Sequence, residues 1–420
     1  MNLLHREKIV VLGMMTKMPV AGVVWQTMHY LVGLERLGYE VYYVEAHART
    51  PSMFMEREAD DGSGRAAAFI AAAMERFGMA GRWAYHALHD DGRCYGMSET
   101  QVRDLYRSAT LLINLHGGTM PLPEHYQTNR LVYLETDPVL LQIELHENNA
   151  ETIAFLEPHC AFFTFGENYG NADCGLPFTD RFEFKPTRQP VVVDFWEDAG
   201  DAFASPAEAF TTIGNWQQPW REVVFNGQVY HWSKHHEYLK VLDLPRRVPS
   251  QPFELALSSY ADEDRRMLES YGWRVRHAMD FSMDAEQYRR YVAGSRGEFT
   301  VAKDQNVRLR SGWFSDRSAT YLAAGRPVVT QDTAFGNVLP TGEGLFAFST
   351  ADEAAAAVEA INADYPRHRR AAAAVGRECF GHDVVLGRLL DEVGLPNAAR
   401  ATGTRTRVGA GRAGAEVRSE

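Results

Sequence analysis

The chain has 420 residues, of which 45% are hydrophobic and 23% are charged, a balance typical of a folded globular protein rather than a disordered one. Its length favours two domains, because a single hydrophobic core rarely organises more than about 300 residues. A formal net charge of -12 argues against sequence-independent binding to nucleic acid, since such binding needs a basic surface.

Neither a membrane span nor a secretory signal is predicted. No window contains the roughly 20 consecutive apolar residues of a membrane helix, and the apolar run near the N-terminus is short and typical of a strand. The cysteines lack the spacing of a metal site, so we expect free thiols in a reducing cytoplasm: Cys94, Cys160, Cys174 and Cys379. We therefore expect a cytoplasmic protein.

The first elements predict a parallel α/β sheet. The β-branched run KIVVLGMM at 8–15 predicts a strand that is buried on both faces. The segment after it has apolar residues at helical spacing up to Leu37, and Gly38 suits the end of a helix. VYYVE at 41–45 predicts the second strand. Such a unit closes right-handed and begins a doubly wound sheet.

The same alternation continues through the first half of the chain. Apolar runs at 111–118, 130–138 and 161–168 predict further strands, each ending in a polar or glycine-rich loop. We assign residues 1–185 to an N-terminal Rossmann-like domain. Proline and polar residues then mark 186–208 as a linker.

The alternation of strands and helices restarts after the linker and predicts a second Rossmann-like domain at 209–397. Its predicted strands are 209–216, 253–259, 273–280, 297–302, 326–332 and 344–348. Residues 398–420 are rich in Gly, Ala, Thr and Arg and are expected to be disordered. The predicted fold class is therefore α/β, with two doubly wound domains facing each other across a cleft.

Ligands of doubly wound sheets bind at the carboxyl ends of the strands, and the most informative loop and helix there lie in 311–348. The helix begins near Ser315 and Asp316, either of which can cap it. The free N–H groups at such a helix start suit a diphosphate. The alternative is a helix that only packs, with Asp316 as its cap.

This helix ends in Ala-Ala-Gly-Arg-Pro at 323–327 and runs directly into a strand, and Gly-Glu-Gly at 342–344 precedes a later strand. In these features the chain resembles the donor half of glycosyltransferase-B enzymes, in particular the group 1-like enzymes of bacteria. Their signature is A-x-G-x-P-V-V followed by G-x-G and an apolar strand. The resemblance implies a glycosyltransferase-B fold whose second domain binds a nucleotide-sugar.

One departure from the family pattern concerns stereochemistry. Many retaining members carry two glutamates eight residues apart before A-x-G-x-P, whereas Gly312 and Thr320 stand at these positions here. Asp316 can replace part of the ribose contact. We therefore do not predict whether the anomeric configuration is retained or inverted.

Several cations and polar groups of the second half are candidates for donor binding. Lys303, Arg308 and Arg310 follow a predicted strand, where they could neutralise a diphosphate or form a solvated basic loop. Lys234 follows an apparent hairpin and opens a helix. The predicted donor-binding residues are Asn215, Lys234, Lys303, Arg310, Ser315, Asp316, Arg317 and Gly336.

The first half is expected to bind the acceptor and supply a base. His116 follows a strand, and an imidazole there could take a proton from a hydroxyl near neutral pH; Asp137, also at a strand end, is the alternative base. Glu135 and Asp137 resemble a metal-binding D-x-D motif only weakly, and no metal site is predicted. The predicted acceptor-binding residues are Met15, Gly22, Gly117 and Gly118.

The expected function is sugar transfer from a nucleotide-diphosphate donor to a hydroxyl of a small molecule or glycan. The nucleotide-sugar is a co-substrate, and no cofactor is expected. No G-x-G-x-x-G follows the first predicted strand, which argues against a dehydrogenase, and no P-loop, G-x-S-x-G or H-E-x-x-H motif favours another enzyme class. The alternatives are a nucleotide-sugar epimerase of the same fold and a non-catalytic nucleotide-sugar-binding protein, because fold alone does not specify function.

Overall fold

The computed structural model describes residues 6–46, 61–201, 208–218 and 221–395, apart from the side chains of 198–201. The strands are β1 Lys8–Leu12, β2 Glu40–Ala46, β3 Trp83–His86, β4 Cys94–Gly96, β5 Leu111–Leu115, β6 Leu131–Glu135, β7 Ala161–Thr164, β8 Phe184–Pro186, β9 Phe210–Asn215, β10 Val223–Phe225, β11 Gln228–Tyr230, β12 Phe253–Ser258, β13 Arg274–His277, β14 Gly297–Thr300, β15 Val328–Gln331 and β16 Leu345–Phe348. The α-helices are α1 Ala21–Arg36, α2 Gly62–Arg76, α3 Glu99–Ser108, α4 Pro123–Tyr126, α5 Leu140–His146, α6 Ala150–Leu156, α7 Asp194–Asp201, α8 His235–Lys240, α9 Leu244–Arg247, α10 Asp262–Ser270, α11 Ala285–Gly294, α12 Asp304–Arg308, α13 Asp316–Ala323, α14 Ala351–Ala363, α15 Tyr365–Phe380 and α16 His382–Glu392.

The first half forms an eight-stranded sheet in the order β4-β3-β2-β1-β5-β6-β7-β8. Neighbouring strands pair in parallel, except for the antiparallel pair β3 and β4. The residues Ile9 to Leu12 of β1 are completely buried, as expected for a strand covered on both faces. Because the strand order reverses beside β1, the carboxyl ends of β1 and β5 lie at a switch point, where ligands of such sheets bind.

The second half forms a six-stranded parallel sheet in the order β13-β12-β9-β14-β15-β16. The hairpin of β10 and β11 lies between β9 and α8 in the chain, at the position where the sequence predicts a hairpin. The predicted fold class, two doubly wound Rossmann-like units, is confirmed.

The segment between the sheets, predicted as a linker at 186–208, is well packed where it is described. Val191 forms a parallel bridge with Gly381. The N–H of Val191 donates to the carbonyl of Phe380 at 2.6 Å, and the N–H of His382 donates to the carbonyl of Val191 at 2.9 Å. Helix α7 then packs against α11 and α13 of the second half. Two crossings of the chain between the halves therefore lie side by side.

An apolar interface joins the halves at the start of α1. Trp196 of α7 is completely buried, and its ring centre lies 5.0 Å from that of Trp25 in α1. The indole N–H of Trp25 donates to the carbonyl of Ala285, at the start of α11, at 2.8 Å. His29, one turn later, is also buried and accepts a hydrogen bond at Nδ1 from the N–H of Val192. Helix α1 thus belongs to both halves.

Helix α16 packs in the first half, although the sequence places it in the second domain, 209–397. Leu386, Leu389 and Leu390 belong to the buried cluster of the first sheet. Helix α1 approaches α16 closely because Gly33 has no side chain: a Cβ there would lie 2.7 Å from Cδ1 of Leu386. The apolar face of α16 covers α1, which explains the difference from the predicted boundary.

The predicted disordered tail, 398–420, lies outside the described residues. Among the described helices, none combines the length and the apolar run needed to cross a bilayer.

The packing of α16 predicts that Leu389→Ala lowers the free energy of unfolding by about 2–5 kcal/mol, the usual cost of removing a buried leucine side chain. A urea titration followed by tryptophan fluorescence measures this change. Arg388→Ala on the exposed side of α16 is the control and should change the free energy of unfolding by less than about 0.5 kcal/mol. Equal losses in both variants would contradict this packing.

Candidate active site

The carboxyl ends of β6 and β14 bring the two halves into contact. Trp313, which precedes α13, donates through its indole N–H to the carbonyl of Thr136 at 3.0 Å. The carboxylate of Asp137 forms an ion pair with the ammonium group of Lys303. Asp137 follows β6 and Lys303 follows β14. The structure thus brings these two predicted site residues together at the facing edges of the sheets.

Lys303 lies between aromatic rings. Its Nζ atom is 3.1 Å from the ring centre of Trp232 and 5.8 Å from that of Trp313, so cation–π attraction adds to the ion pair. Burial lowers the pKa of Lys303, and the carboxylate of Asp137 opposes this shift. The aromatic walls therefore hold a desolvated cation beside a carboxylate.

Lys234 supplies a second cation at this edge. Its Nζ atom lies 5.9 Å from the ring centre of Trp313, and in the described part of the chain no carboxylate or carbonyl oxygen pairs with it. Burial first, and then the charge of Arg317, lowers the pKa of Lys234 to about 7. An anion beside this ammonium group would stabilise its charged form.

The start of α13 lies in the same electrostatic environment. Ser315 is the N-cap residue, but its side chain makes no capping hydrogen bond. Burial raises the pKa of the Asp316 carboxyl; the charge of Arg317 opposes this shift, and the nearby Asp137 adds to it. The start of α13 therefore lies near the predicted base Asp137 and the two lysines.

Arg317 points into the second sheet instead of toward a ligand. Its guanidinium donates to the carboxylate of Glu298 at 2.6 Å and to the hydroxyl of Thr300 at 3.0 Å, and it also binds the carbonyl of Ile213. Glu298 is completely buried, so the pair joins α13 to β9 and β14 beneath the site. This placement makes Arg317 a positioning residue for α13 and gives no direct support to its predicted donor contact.

Arg310 joins the two halves. Its guanidinium binds the carboxylate of Asp173, from the first half, at 2.9 Å, and that of Asp332 at 3.4 Å. The side-chain amide of Asn168, also from the first half, donates to the carbonyl of Arg310 at 2.9 Å. Arg310 is thus engaged in a contact between the halves, and its guanidinium already pairs with two carboxylates.

Two further predicted donor residues lie at the rim. Asn215 ends β9, and its side-chain oxygen accepts a hydrogen bond from the hydroxyl of Ser258. Gly336 is exposed, and a Cβ at this position would meet only Thr341, at 3.7 Å. Its lack of a side chain is therefore not needed for packing.

The predicted acceptor-binding residues mostly serve the fold of the first half. Met15 is completely buried, so its side chain offers no surface to an acceptor. Gly117 has a φ of 63°, and its Cβ would lie 2.9 Å from the ring of Tyr133; a Cβ on Gly118 would lie 2.8 Å from Met14. These glycines allow the loop after β5 to pack tightly.

The loop after β1 is held by a buried carboxylate that sequence analysis missed. Glu45 accepts hydrogen bonds from the backbone N–H of Thr16 at 2.9 Å and from the hydroxyls of Thr16 and Tyr43. Gly22 follows this loop in the first turn of α1, where a Cβ would lie 3.7 Å from the hydroxyl of Tyr288. From the same loop, the ammonium group of Lys17 donates a hydrogen bond to the carbonyl of Gly118, in the loop after β5, at 2.9 Å. The loops after β1 and β5 are therefore joined to each other.

His116 lies beside Asp137 but is poorly suited to accept a proton at neutral pH. Its φ is 65°, and its Nδ1 atom lies 2.8 Å from the hydroxyl of Thr136. Nε2 is buried without a hydrogen-bond partner among the described residues. Burial lowers the pKa of His116 to about 4, and the charge of Asp137 opposes this shift only partly.

Glu135, which ends β6, is a buried carboxyl group. One of its oxygens accepts hydrogen bonds from Gln142 at 2.8 Å and Thr164 at 2.6 Å, whereas Oε1 has no partner among the described residues. Burial raises the pKa of Glu135 to about 8, although the hydrogen bonds from Thr164 and Gln142 oppose the shift. Glu135 is therefore a neutral acid at neutral pH and not a metal ligand of the E-x-D pattern.

Sequence analysis did not single out the two tryptophans around Lys303. Trp232 lies two residues before Lys234, and Trp313 lies within the segment 311–348 that carries the family resemblance. A tryptophan two residues before a predicted phosphate-binding cation was the available signal. Nothing in the local pattern indicates that both rings converge on the same lysine.

The raised pKa of Glu135 predicts a pH-dependent loss of stability. The unfolded carboxyl releases its proton near pH 4.5, whereas the folded one keeps it up to about pH 8. The free energy of unfolding therefore falls between these pH values, by at most about 1.4 kcal/mol per pH unit from this group. Glu135→Gln should remove this fall and gain stability relative to the native chain between pH 5 and pH 8 in urea titrations.

Glu147→Gln, at an exposed position of the same half, is the matched control and should keep the pH dependence of the native chain. The same pH dependence in Glu135→Gln and in the native chain would show that Glu135 is ionised in the folded protein.

Comparison with known proteins gives matches only among solved structures. No protein-family profile matches the chain, and no curated protein sequence matches it. An alpha-glucosyltransferase in complex with UDP-glucose and DNA containing an abasic site superposes with a TM-score of 0.55 at 9% sequence identity, over 92% of this chain and 98% of that one.

Two further structures are similar over nearly the whole chain. HepE from Anabaena, in complex with UDP and glucose, has a TM-score of 0.53 at 11% identity and covers 93% of this chain and 100% of its own. The pneumococcal O-GlcNAc transferase GtfA, in complex with UDP and GlcNAc, has a TM-score of 0.51 at 10% identity and covers 93% and 99%. The chain therefore has the two-domain glycosyltransferase-B fold that its sequence resemblance predicts.

Proposed function

We propose that this protein is a glycosyltransferase that moves a sugar from a nucleoside-diphosphate donor to a hydroxyl group of a small molecule or glycan. The observation that carries the proposal is the ion pair between Lys303 of the second half and Asp137 of the first, beside the buried ammonium group of Lys234. Such cations can take up a departing diphosphate, and a carboxylate can accept the proton of the acceptor. The UDP and UDP-glucose complexes of structures with the same fold support a nucleotide-sugar donor.

The donor diphosphate would bind between the two lysines and the start of α13. Lys234 lacks an anionic partner among the described residues, and Lys303 would exchange Asp137 for a phosphate oxygen. The N–H groups at the start of α13 add positive potential. Trp232 and Trp313 exclude water from both ammonium groups, which strengthens their attraction for the charge that develops on the leaving group.

Asp137 is the better candidate for the base. Its side chain is 42% exposed, so an acceptor hydroxyl can reach it, whereas the Nε2 atom of His116 is buried. When a phosphate takes over Lys303, the carboxylate of Asp137 loses its ion-pair partner and is free to accept a hydrogen bond from the acceptor hydroxyl. The proton of the acceptor hydroxyl would pass to Asp137 while the sugar–phosphate bond breaks.

The proposed reaction uses no metal and no cofactor, because the two lysines supply the positive charge that a metal would otherwise provide. Although one structural neighbour is a complex with DNA, the net charge of -12 favours an acceptor other than nucleic acid.

UDP titrated by calorimetry tests the donor site. Lys234→Ala should weaken UDP binding by about 10–100-fold, since a hydrogen bond to a charged group contributes about 1.5–3 kcal/mol. Lys240→Ala, at an exposed position of α8 where the ammonium group already pairs with Glu237, is the control and should bind UDP normally. Because the pKa of Lys234 is about 7, UDP affinity should fall as the pH rises above 7. UDP binding that requires added Mg²⁺ or Mn²⁺ would contradict the metal-free proposal.

Incubation with UDP-sugars separates the proposed function from its alternatives. An epimerase converts the donor without an acceptor, and a binding protein leaves it unchanged. A transferase releases UDP at a rate that rises with acceptor concentration.

Measuring the turnover of two variants tests which residue acts as the base. Asp137→Asn should lower kcat by about 10²–10⁴-fold, the usual contribution of a positioned base, while UDP binding is kept because Lys303 remains. His116→Ala should retain most of the turnover per folded molecule. The reverse result, an active Asp137→Asn and an inactive His116→Ala with an unchanged melting temperature, would transfer the role to His116.

A further inference from the structure

Three potential metal ligands converge beside the hairpin of the second half. Glu222 precedes β10, His231 follows β11 and His236 lies in the first turn of α8. One ligand atom from each lies within 4.8 Å of the other two, and the carboxylate of Glu222 is 2.7 Å from Nδ1 of His231. Three separate segments of the chain thus place two imidazoles and one carboxylate together.

We propose that Glu222, His231 and His236 bind a zinc ion. Imidazole nitrogens and a carboxylate oxygen are the ligands that zinc prefers, at about 2.0–2.2 Å from the ion, which places ligand atoms about 3.3–3.5 Å apart. Closing the observed separation needs only small side-chain rotations, because Glu222 is exposed and both histidines are half-buried. Three protein ligands leave the fourth position for water.

The surroundings of the three ligands are already ordered. The backbone N–H of His231 donates to the carboxylate of Asp304 at 3.0 Å, so β11 is held against the start of α12. The ring centre of His236 lies 4.0 Å from that of His231 and 3.9 Å from that of His235. These ring contacts hold the imidazole of His236 close to that of His231, which lowers the entropy that a metal must overcome.

The ion would act as a structural clamp next to the proposed donor site. It would join the hairpin to α8, and the adjoining residues on these elements are Trp232, which packs on Lys303, and Lys234. A clamp at this position fixes the aromatic wall behind the lysines without contacting a substrate. Zinc is titrated without nucleotide in the test below, so a failure of this proposal and a failure of the proposed transferase function are distinguishable.

The test uses the full chain, stripped with a chelator and titrated with zinc alone in the absence of nucleotide. Calorimetry should give one zinc per chain with a micromolar or tighter Kd. Glu222→Gln and His236→Ala should each weaken binding at least tenfold. His277→Ala removes another exposed histidine that lies near a carboxylate, 3.6 Å from Asp280, and is the matched control; it should bind zinc normally.

Folding is checked without metal, where all variants should melt within about 2 °C of the native chain, because surface substitutions change stability little. Zinc should raise the melting temperature of the native chain and of His277→Ala, but not that of His236→Ala. Binding that is millimolar in the native chain, or equally tight in Glu222→Gln and His236→Ala, would overturn the proposal.

Discussion

The two sheets face each other because α1 begins inside the apolar interface between them. The N–H of Ala21 donates to the carbonyl of Ser282 at 2.7 Å, and Trp25 packs against Trp196 at a ring separation of 5.0 Å. Burying these rings depends on one relative orientation of the halves, since interdigitated aromatic side chains tolerate little displacement. The carboxyl ends of both sheets therefore meet, and residues of distant parts of the chain become neighbours.

This orientation of the halves explains why two lysines, a residue type that usually lies in solvent, are buried at the site. Lys303 and Asp137 are separated by 166 positions in the chain, yet they pair across the interface. The same closure removes water from Lys234, so that burial lowers its pKa to about 7. Burying a charge without a partner costs free energy, and such charges are common at sites where a bound ligand supplies the opposite charge. The packing of the interface thus maintains both the ion pair of Lys303 with Asp137 and the burial that lowers the pKa of Lys234.

Local patterns in the sequence predict most strands and helices because their causes are local. The apolar run of β1 and the Gly325-Arg326-Pro327 turn after α13 specify their conformations without distant partners. The same patterns also predict which strand ends carry Asp137 and Lys303. They do not show that Arg317 pairs with the buried Glu298 or that Met15 faces the core, because burial depends on which surfaces meet in three dimensions. Helix α16 illustrates the same limit, since its apolar face is compatible with either half.

The bridge between Val191 and Gly381 has a mechanical consequence for the molecule. The chain leaves the first half near Val191 and returns to it at Gly381, and hydrogen bonds of 2.6 and 2.9 Å join these two crossings. Two adjacent segments joined by hydrogen bonds resist sliding and twisting more than a single connection does. The paired crossings therefore add to the constraint that the buried contact between Trp25 and Trp196 places on the orientation of the halves. The ion pair of Lys303 and Asp137 lies at the facing sheet edges, so its length is sensitive to any small change in the angle between the halves.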